Sequence, residues 1–192
     1  MDKFRYGTKE IIATVSLVTV FVLLRQLETY LLGASVIQRS IFTWVQPGML
    51  VVAIAAVFFG PVSGFLCGLT GGFLTYIMLE SAISYPRIVA TGLYGFFIGL
   101  YFGKMHYKPD DFTPRGFIDF NAVQIMTSIF IGLVFLPLVR FMVEEVSIYD
   151  ELLSSAKSLV GNTVLIGITC PVIMIIVSAV LSADSEKKRR RT

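Results

Sequence analysis

Long apolar runs divided by short polar breaks set the character of this chain. The densest lies between Gln46 and Glu80, where two uncharged runs meet at Gly60-Pro61. About 20 apolar residues suffice for one helix to cross a bilayer. Taken in order, the runs predict helices over about 10–25, 47–60, 61–79, 86–103, 120–140 and 158–183, followed by a basic tail over 184–192. The expected architecture is an all-α integral membrane protein, a bundle of six transmembrane helices forming a single domain over 1–192. Pro47 and Pro86 suit first helical turns, where the missing N–H costs nothing. Pro137 and Pro171 fall inside runs and predict kinks that neighbouring groups must repair. Three polar stretches read as connections: 25–46, mixed with apolar residues and suited to the membrane surface; 104–119, hydrophilic; and 140–157, acidic.

Within the apolar runs the glycines are ordered. Gly60, Gly64, Gly68 and Gly72 follow at steps of four, and Gly95, Gly99 and Gly103 repeat the step. Such a ladder strips one face of a helix of side chains, so a neighbour can approach closely enough for dispersion contacts to hold the pair. This implies tight packing around the middle of the chain, as in many multi-helix membrane proteins. In the first run Ala13, Ser16 and Thr19 form a small-sided strip. It serves either ordinary helix packing or the docking of a partner.

Composition agrees: 55% of the residues are hydrophobic and 15% charged, with mean hydropathy +0.78. The formal charge of +3 comes largely from Lys187 to Arg191. A basic cluster just after a hydrophobic helix faces anionic lipid more readily than nucleic acid. Six spans put both termini on one side. That side carries Lys3, Arg5, Lys9, Lys104, Lys108, Arg115 and the five basic residues of the tail; the other carries Arg25, Arg39, Arg87, Arg140 and Lys157. The positive-inside rule then makes the termini and 104–119 cytoplasmic, and turns 25–46, 80–86 and 140–157 outward.

No enzyme signature is present, and no catalytic residue, metal ligand set or cofactor is expected. Gly99 to Lys104 is one residue short of a phosphate-binding loop and lacks the following Ser or Thr. His106 is the single histidine, and Cys67 and Cys170 sit inside apolar runs as buried thiols. Energy for uphill movement of a solute must therefore come from a partner or an ion gradient. The outward face is richer. Gln46, Glu80, Arg87, Tyr94, Arg140, Lys157 and Asn162 gather at helix ends beneath the 25–46 connection, with Trp44 beside them. They form either a pocket for a polar small molecule or a set of interfacial anchors. Tyr94 and Asn162 lie within apolar runs, where an unpaired polar group costs about 1–3 kcal/mol.

The runs PGMLVVAIAAVFFGPVSGFLCGLTGGFLTYIM, YPRIVATGLYGFFIGLYFGK and LLSSAKSLVGNTVLIGITCPVIMIIVSAV resemble the substrate-binding membrane subunits (S components) of energy-coupling factor transporters, in the riboflavin-type branch. The resemblance covers roughly residues 10 to 182 and includes an Asn in the last helix, here Asn162. It implies a six-helix subunit of a prokaryotic plasma membrane that captures a vitamin or related micronutrient from outside. The pocket would be closed by the loop after helix one and the outer ends of the last three helices. The resemblance further implies docking on a transmembrane coupling (T) subunit bound to two cytoplasmic ATPases, with tipping in the membrane to release substrate inside. The family's Ala-xxx-Ala docking motif is absent, since Leu17 stands four after Ala13; Ala13, Ser16 and Thr19 are left for that role. The competing class is a membrane sensor or scaffold that moves no solute. An autonomous ion-coupled carrier would need charges at mid-membrane, whereas the acidic residues here lie at the ends of the runs.

Overall fold

In lipid, backbone groups can be satisfied only within helices or closed barrels, and the computed structural model of the chain is helical over nearly all the residues it describes, 7–33, 45–79, 83–104 and 114–189. Its elements are α1 (Thr8–Gly33), α2 (Pro47–Leu79), α3 (Tyr85–Lys104), α4 (Pro114–Ile129), a π-helical segment (Phe130–Phe135), α5 (Leu136–Glu144) and α6 (Ile148–Arg189). α4, the π segment and α5 run on without a break, so the described residues form five helical rods, where six separate helices were expected. Four stretches are long and apolar enough to cross a membrane: Glu10–Tyr30, Pro47–Met78, Arg115–Glu144 and Ile148–Val177.

The difference in number lies in α2. Gly60 interrupts its 33 residues with φ 88° and ψ −177°, a conformation open to glycine, and Pro61 follows. The two arms fold back on each other there. A methyl group placed on Gly64 would stand 2.7 Å from Cβ of Ala56, although the two are eight residues apart in sequence. Methyls on Gly48 and Gly71, about equally far from Gly60, would both strike the ring of Phe21, at 2.7 and 2.8 Å. The predicted 47–60 and 61–79 helices are thus two antiparallel arms of one helical element.

The second arm lies antiparallel against α3, glycine to glycine. A Cβ on Gly95 would come within 2.4 Å of the Gly64 carbonyl oxygen, one on Gly68 within 2.5 Å of that of Thr91, and one on Gly99 within 2.5 Å of Pro61 Cα. Backbone therefore meets backbone along the ladder, the approach that lets dispersion hold helices together in lipid. The buried core gathers around this seam, with Val52, Ala53, Ala55, Ala56, Cys67 and Ile98 all inaccessible.

Several expected boundaries move. The first helix was placed at 10–25 but continues to Gly33, taking up part of the 25–46 connection; 34–44 lies outside the described residues. The fourth, expected over 86–103, runs Tyr85–Lys104. The fifth, expected over 120–140, spans 114 to 144. The acidic stretch 140–157 is helix except at 145–147. Glu145, in the left-handed region at φ 55°, ends α5. α6 then starts at Ile148 instead of 158 and runs for 42 residues to Arg189. Its first turn carries Asp150 and Glu151, placed to favour a helix N-terminus. Polarity there marks the start of a helix, not a loop. At about 1.5 Å per residue, a helix of 42 residues is roughly twice as long as the ~30 Å hydrocarbon core is thick.

A cavity at one end of the bundle

α1, the two arms of α2, α3, the 114–144 rod and α6 surround a cavity of about 360 Å³. Phe21 and Arg25 of α1, Gln46, Gly48 and Met49 at the start of α2, and Gly72, Thr75 and Tyr76 near its end form one side. Arg87, Ala90, Thr91 and Tyr94 of α3 line it, as do Ser128, Ile131, Gly132 and Leu136 of the 114–144 rod. α6 contributes Glu151, Ser154, Ser155, Ser158, Leu159 and Asn162. The order of the helices sets this cavity at the end of the bundle away from Thr8, the Gly60 turn, Lys104 and Arg189.

Its charges come in compensated sets. Glu151, only 3% exposed, accepts from Arg87 Nη2 at 3.3 Å, from Arg140 Nη1, and from Ser155 Oγ at 3.4 Å. Arg140 also donates through Nε to Glu144 at 2.6 Å, and Glu144 accepts from Ser84 Oγ at 2.7 Å. This chain ties the approach to α3 to the end of α5 and the start of α6. Two guanidinium groups and two carboxylates cancel, which removes the large cost of burying any of them alone. On α1, Arg25 pairs with Glu28 at 2.7 Å.

Neutral groups fix the remaining geometry. Asn162 Oδ1 accepts the backbone N–H of Gln46 at 2.7 Å, so a side chain of α6 caps the start of α2. Tyr94, 1% exposed, donates its hydroxyl to Gln124 Oε1 at 3.2 Å, and Gln124 Nε2 donates to the Thr163 carbonyl at 3.1 Å. Asn121 Nδ2 reaches the Gly167 carbonyl at 3.2 Å. These bonds join α3, α4 and α6 behind the cavity wall.

Of the residues singled out in the sequence, Gln46, Arg87, Tyr94 and Asn162 line the cavity. Arg140 stands behind the wall, gripping Glu151 and Glu144. Trp44 and Glu80 lie outside the described residues, and Lys157 is exposed and does not line the cavity. On α1, Ser16 and Thr19 are exposed and Ala13 half-buried; both hydroxyls turn back onto carbonyls one helical turn earlier, Ile12 at 2.9 Å and Val15 at 3.0 Å. Sequence reasoning passed over Glu151, Glu144, Ser154, Ser155 and Ser158. The signal was there: Glu151, Ser154, Ser155, Ser158 and Asn162 repeat at three and four and make one polar stripe. Reading 140–157 as a loop hid it.

A family model described as "ECF-type riboflavin transporter, S component" matches residues 11–185. Among curated relatives, a "UPF0397 protein" of Lactobacillus johnsonii is 31% identical over 100 residues, covering 52% of this chain and 51% of the relative. One from Streptococcus gordonii is 30% identical over 114 residues, 57% of this chain and 56% of the relative. One from Exiguobacterium sp. is 22% identical over 184 residues, 96% of this chain and 97% of the relative. The chain spans about half the length of the relatives it matches at 30% identity or more, as in the Lactobacillus johnsonii protein at 51%. No solved structure matches it.

Proposed function

The chain belongs to the S component family of ECF-type riboflavin transporters, and from that membership we propose that its cavity captures a vitamin-like small molecule outside the cell for uptake driven by partner subunits. S components are multi-pass proteins of the plasma membrane that bind substrate and are not enzymes. We take the two arms of α2 as separate spans, which gives six and returns both termini to the cytoplasmic side. The cavity then opens outward, because it lies at the end of the bundle away from both termini and from Lys104.

One observation carries the ligand class: the charges at the cavity wall are already neutralised by one another, while serines and amides share the wall with the rings of Phe21, Tyr76 and Tyr94. Such a lining suits an uncharged molecule with a flat ring and several hydrogen-bonding groups. In this reading Gln46, Tyr94 and Asn162 contact the ligand, Arg87 stands at its edge, Arg140 holds Glu151 in place, and Trp44 and Glu80 are further candidates for ligand contact. Riboflavin, named in the family description, is the first compound to test.

Transport would need a transmembrane coupling subunit and two cytoplasmic ATPases. Ala13, Ser16 and Thr19 are the proposed docking strip for the former, since the hydroxyls of Ser16 and Thr19 are satisfied within α1 and leave a surface fit to lie against another helix. The test is purification from a membrane with those partners co-expressed, followed by mass spectrometry of the retained small molecule. A retained compound together with a co-purifying ATPase pair is the expected result. Protein of native helicity that carries neither, and binds no offered vitamin, would favour a scaffold or sensor instead.

A further inference from the structure

The π segment sits in the cavity wall, through Ile131 and Gly132. In its wider register each N–H reaches the carbonyl five residues back. The Leu136 N–H accordingly goes to the Ile131 carbonyl, and so is not available to Gly132, its partner in an ordinary α-helix. The π partner of Gly132 would be residue 137, which is proline and has no N–H. The next donor, Leu138, stands six residues on, in register with the carbonyl of Val134 or Leu133. The Gly132 carbonyl is therefore skipped by both registers. Having no side chain, Gly132 can line the cavity only with its backbone. Ser155, whose Cβ stands 3.9 Å from where a Gly132 Cβ would be, gives its hydroxyl to Glu151 instead.

We infer that the carbonyl oxygen of Gly132 is an open hydrogen-bond acceptor in the cavity wall, kept open by Pro137 and taken up by an N–H or O–H donor of the bound molecule. A ligand that covers it without offering a donor leaves a polar group unpaired. The π turn and the proline together act as a specificity element: they select molecules carrying a donor, such as a ring imide or an amino group, at that point. This rests on the cavity being the substrate site proposed above.

The experiment combines Pro137→Ala with carbonyl spectroscopy on the full chain in lipid nanodiscs. Alanine restores an N–H that can pair with Gly132. Glycine labelled at the carbonyl carbon and leucine labelled with 15N select the four Gly–Leu peptide bonds, after Gly68, Gly92, Gly99 and Gly132. One of the four signals is expected at an unbonded position in the wild type. It should move to a bonded position on adding riboflavin, and already sit there in P137A. P137A should bind riboflavin roughly 2- to 12-fold more weakly, the range for one net hydrogen bond, with a melting temperature no lower than wild type. For 3-methylriboflavin, which lacks the imide N–H, the two proteins should bind alike. If all four carbonyls are bonded in the wild type, or if P137A binds both flavins as the wild type does, the inference is overturned. A wild type that binds no flavin removes riboflavin as the ligand of the proposed function, and the inference is then decided by the carbonyl signal alone: an unbonded Gly132 that shifts in P137A sustains it, and any other pattern ends it.

Discussion

Gly95→Ala and Gly72→Ala add the same methyl group to the same glycine seam and should have opposite outcomes. At Gly95 the new carbon would lie 2.4 Å from the Gly64 carbonyl oxygen, 2.5 Å from its carbonyl carbon and 2.6 Å from Val52 Cγ1. Two of those atoms are backbone, so no rotamer change relieves the clash; α3 and the second arm of α2 must part by about 1 Å to restore ordinary contact, which lies near 3.5 Å. At Gly72 the nearest atom is Ile88 Cα at 3.7 Å, already a normal contact. Overpacking of a tight core costs about 1–3 kcal/mol, and for a chain of this size 1 kcal/mol shifts Tm by roughly 2–4 °C. The expected loss is therefore roughly 2–12 °C for G95A, against a small gain or no change for G72A, where alanine also favours the helix. Because Tyr94 adjoins Gly95 and lines the cavity, G95A should also weaken ligand retention. The assay is thermal melting of purified protein followed by helical circular dichroism, with bound ligand measured in parallel. Equal melting of the two variants would refute the backbone-to-backbone seam.

Other consequences follow from the polar network. Glu151→Ala removes the common partner of Arg87 and Arg140 and should cost about 1.5–3 kcal/mol, the range for hydrogen bonds to a charged group, since Arg140 keeps Glu144; Arg87→Ala, at a side chain 41% exposed, should cost no more than about 1 kcal/mol, and denaturation of both variants checks the contrast. Asn162→Ala unties the start of α2 and should lower stability by about 0.5–2 kcal/mol, read from thermal melting. Tyr94→Phe strands the buried Gln124 and should cost about 1–3 kcal/mol; adding Gln124→Leu should recover part of it, which a double-mutant cycle measures. Cys67 and Cys170 are both inaccessible, so a membrane-permeant maleimide should label neither in the folded protein and both after unfolding in detergent.

A helical membrane protein with closely apposed helices around Gly60 to Gly103 could be read directly from the residues, because uncharged length and glycine spacing are local properties that lipid allows to be satisfied in few ways. Gln46, Arg87, Tyr94 and Asn162 were also readable as polar groups at one level of the bundle, since helix order alone sets which ends meet. How they are used depends on the packing of the helices. Arg140 stands behind the wall because Glu151 draws it there, and Glu151 became visible only once 148–157 proved to be the first turns of a long helix. Gly95 and Gly72 look alike in the ladder, yet an added methyl would stand 2.4 Å from backbone at one and 3.7 Å from it at the other, a difference set by the local separation of the two helices. The widened turn before Pro137 likewise depends on which carbonyl each N–H finally reaches. Hydrophobic pattern records what must leave water; it does not record partners, and partners make the cavity.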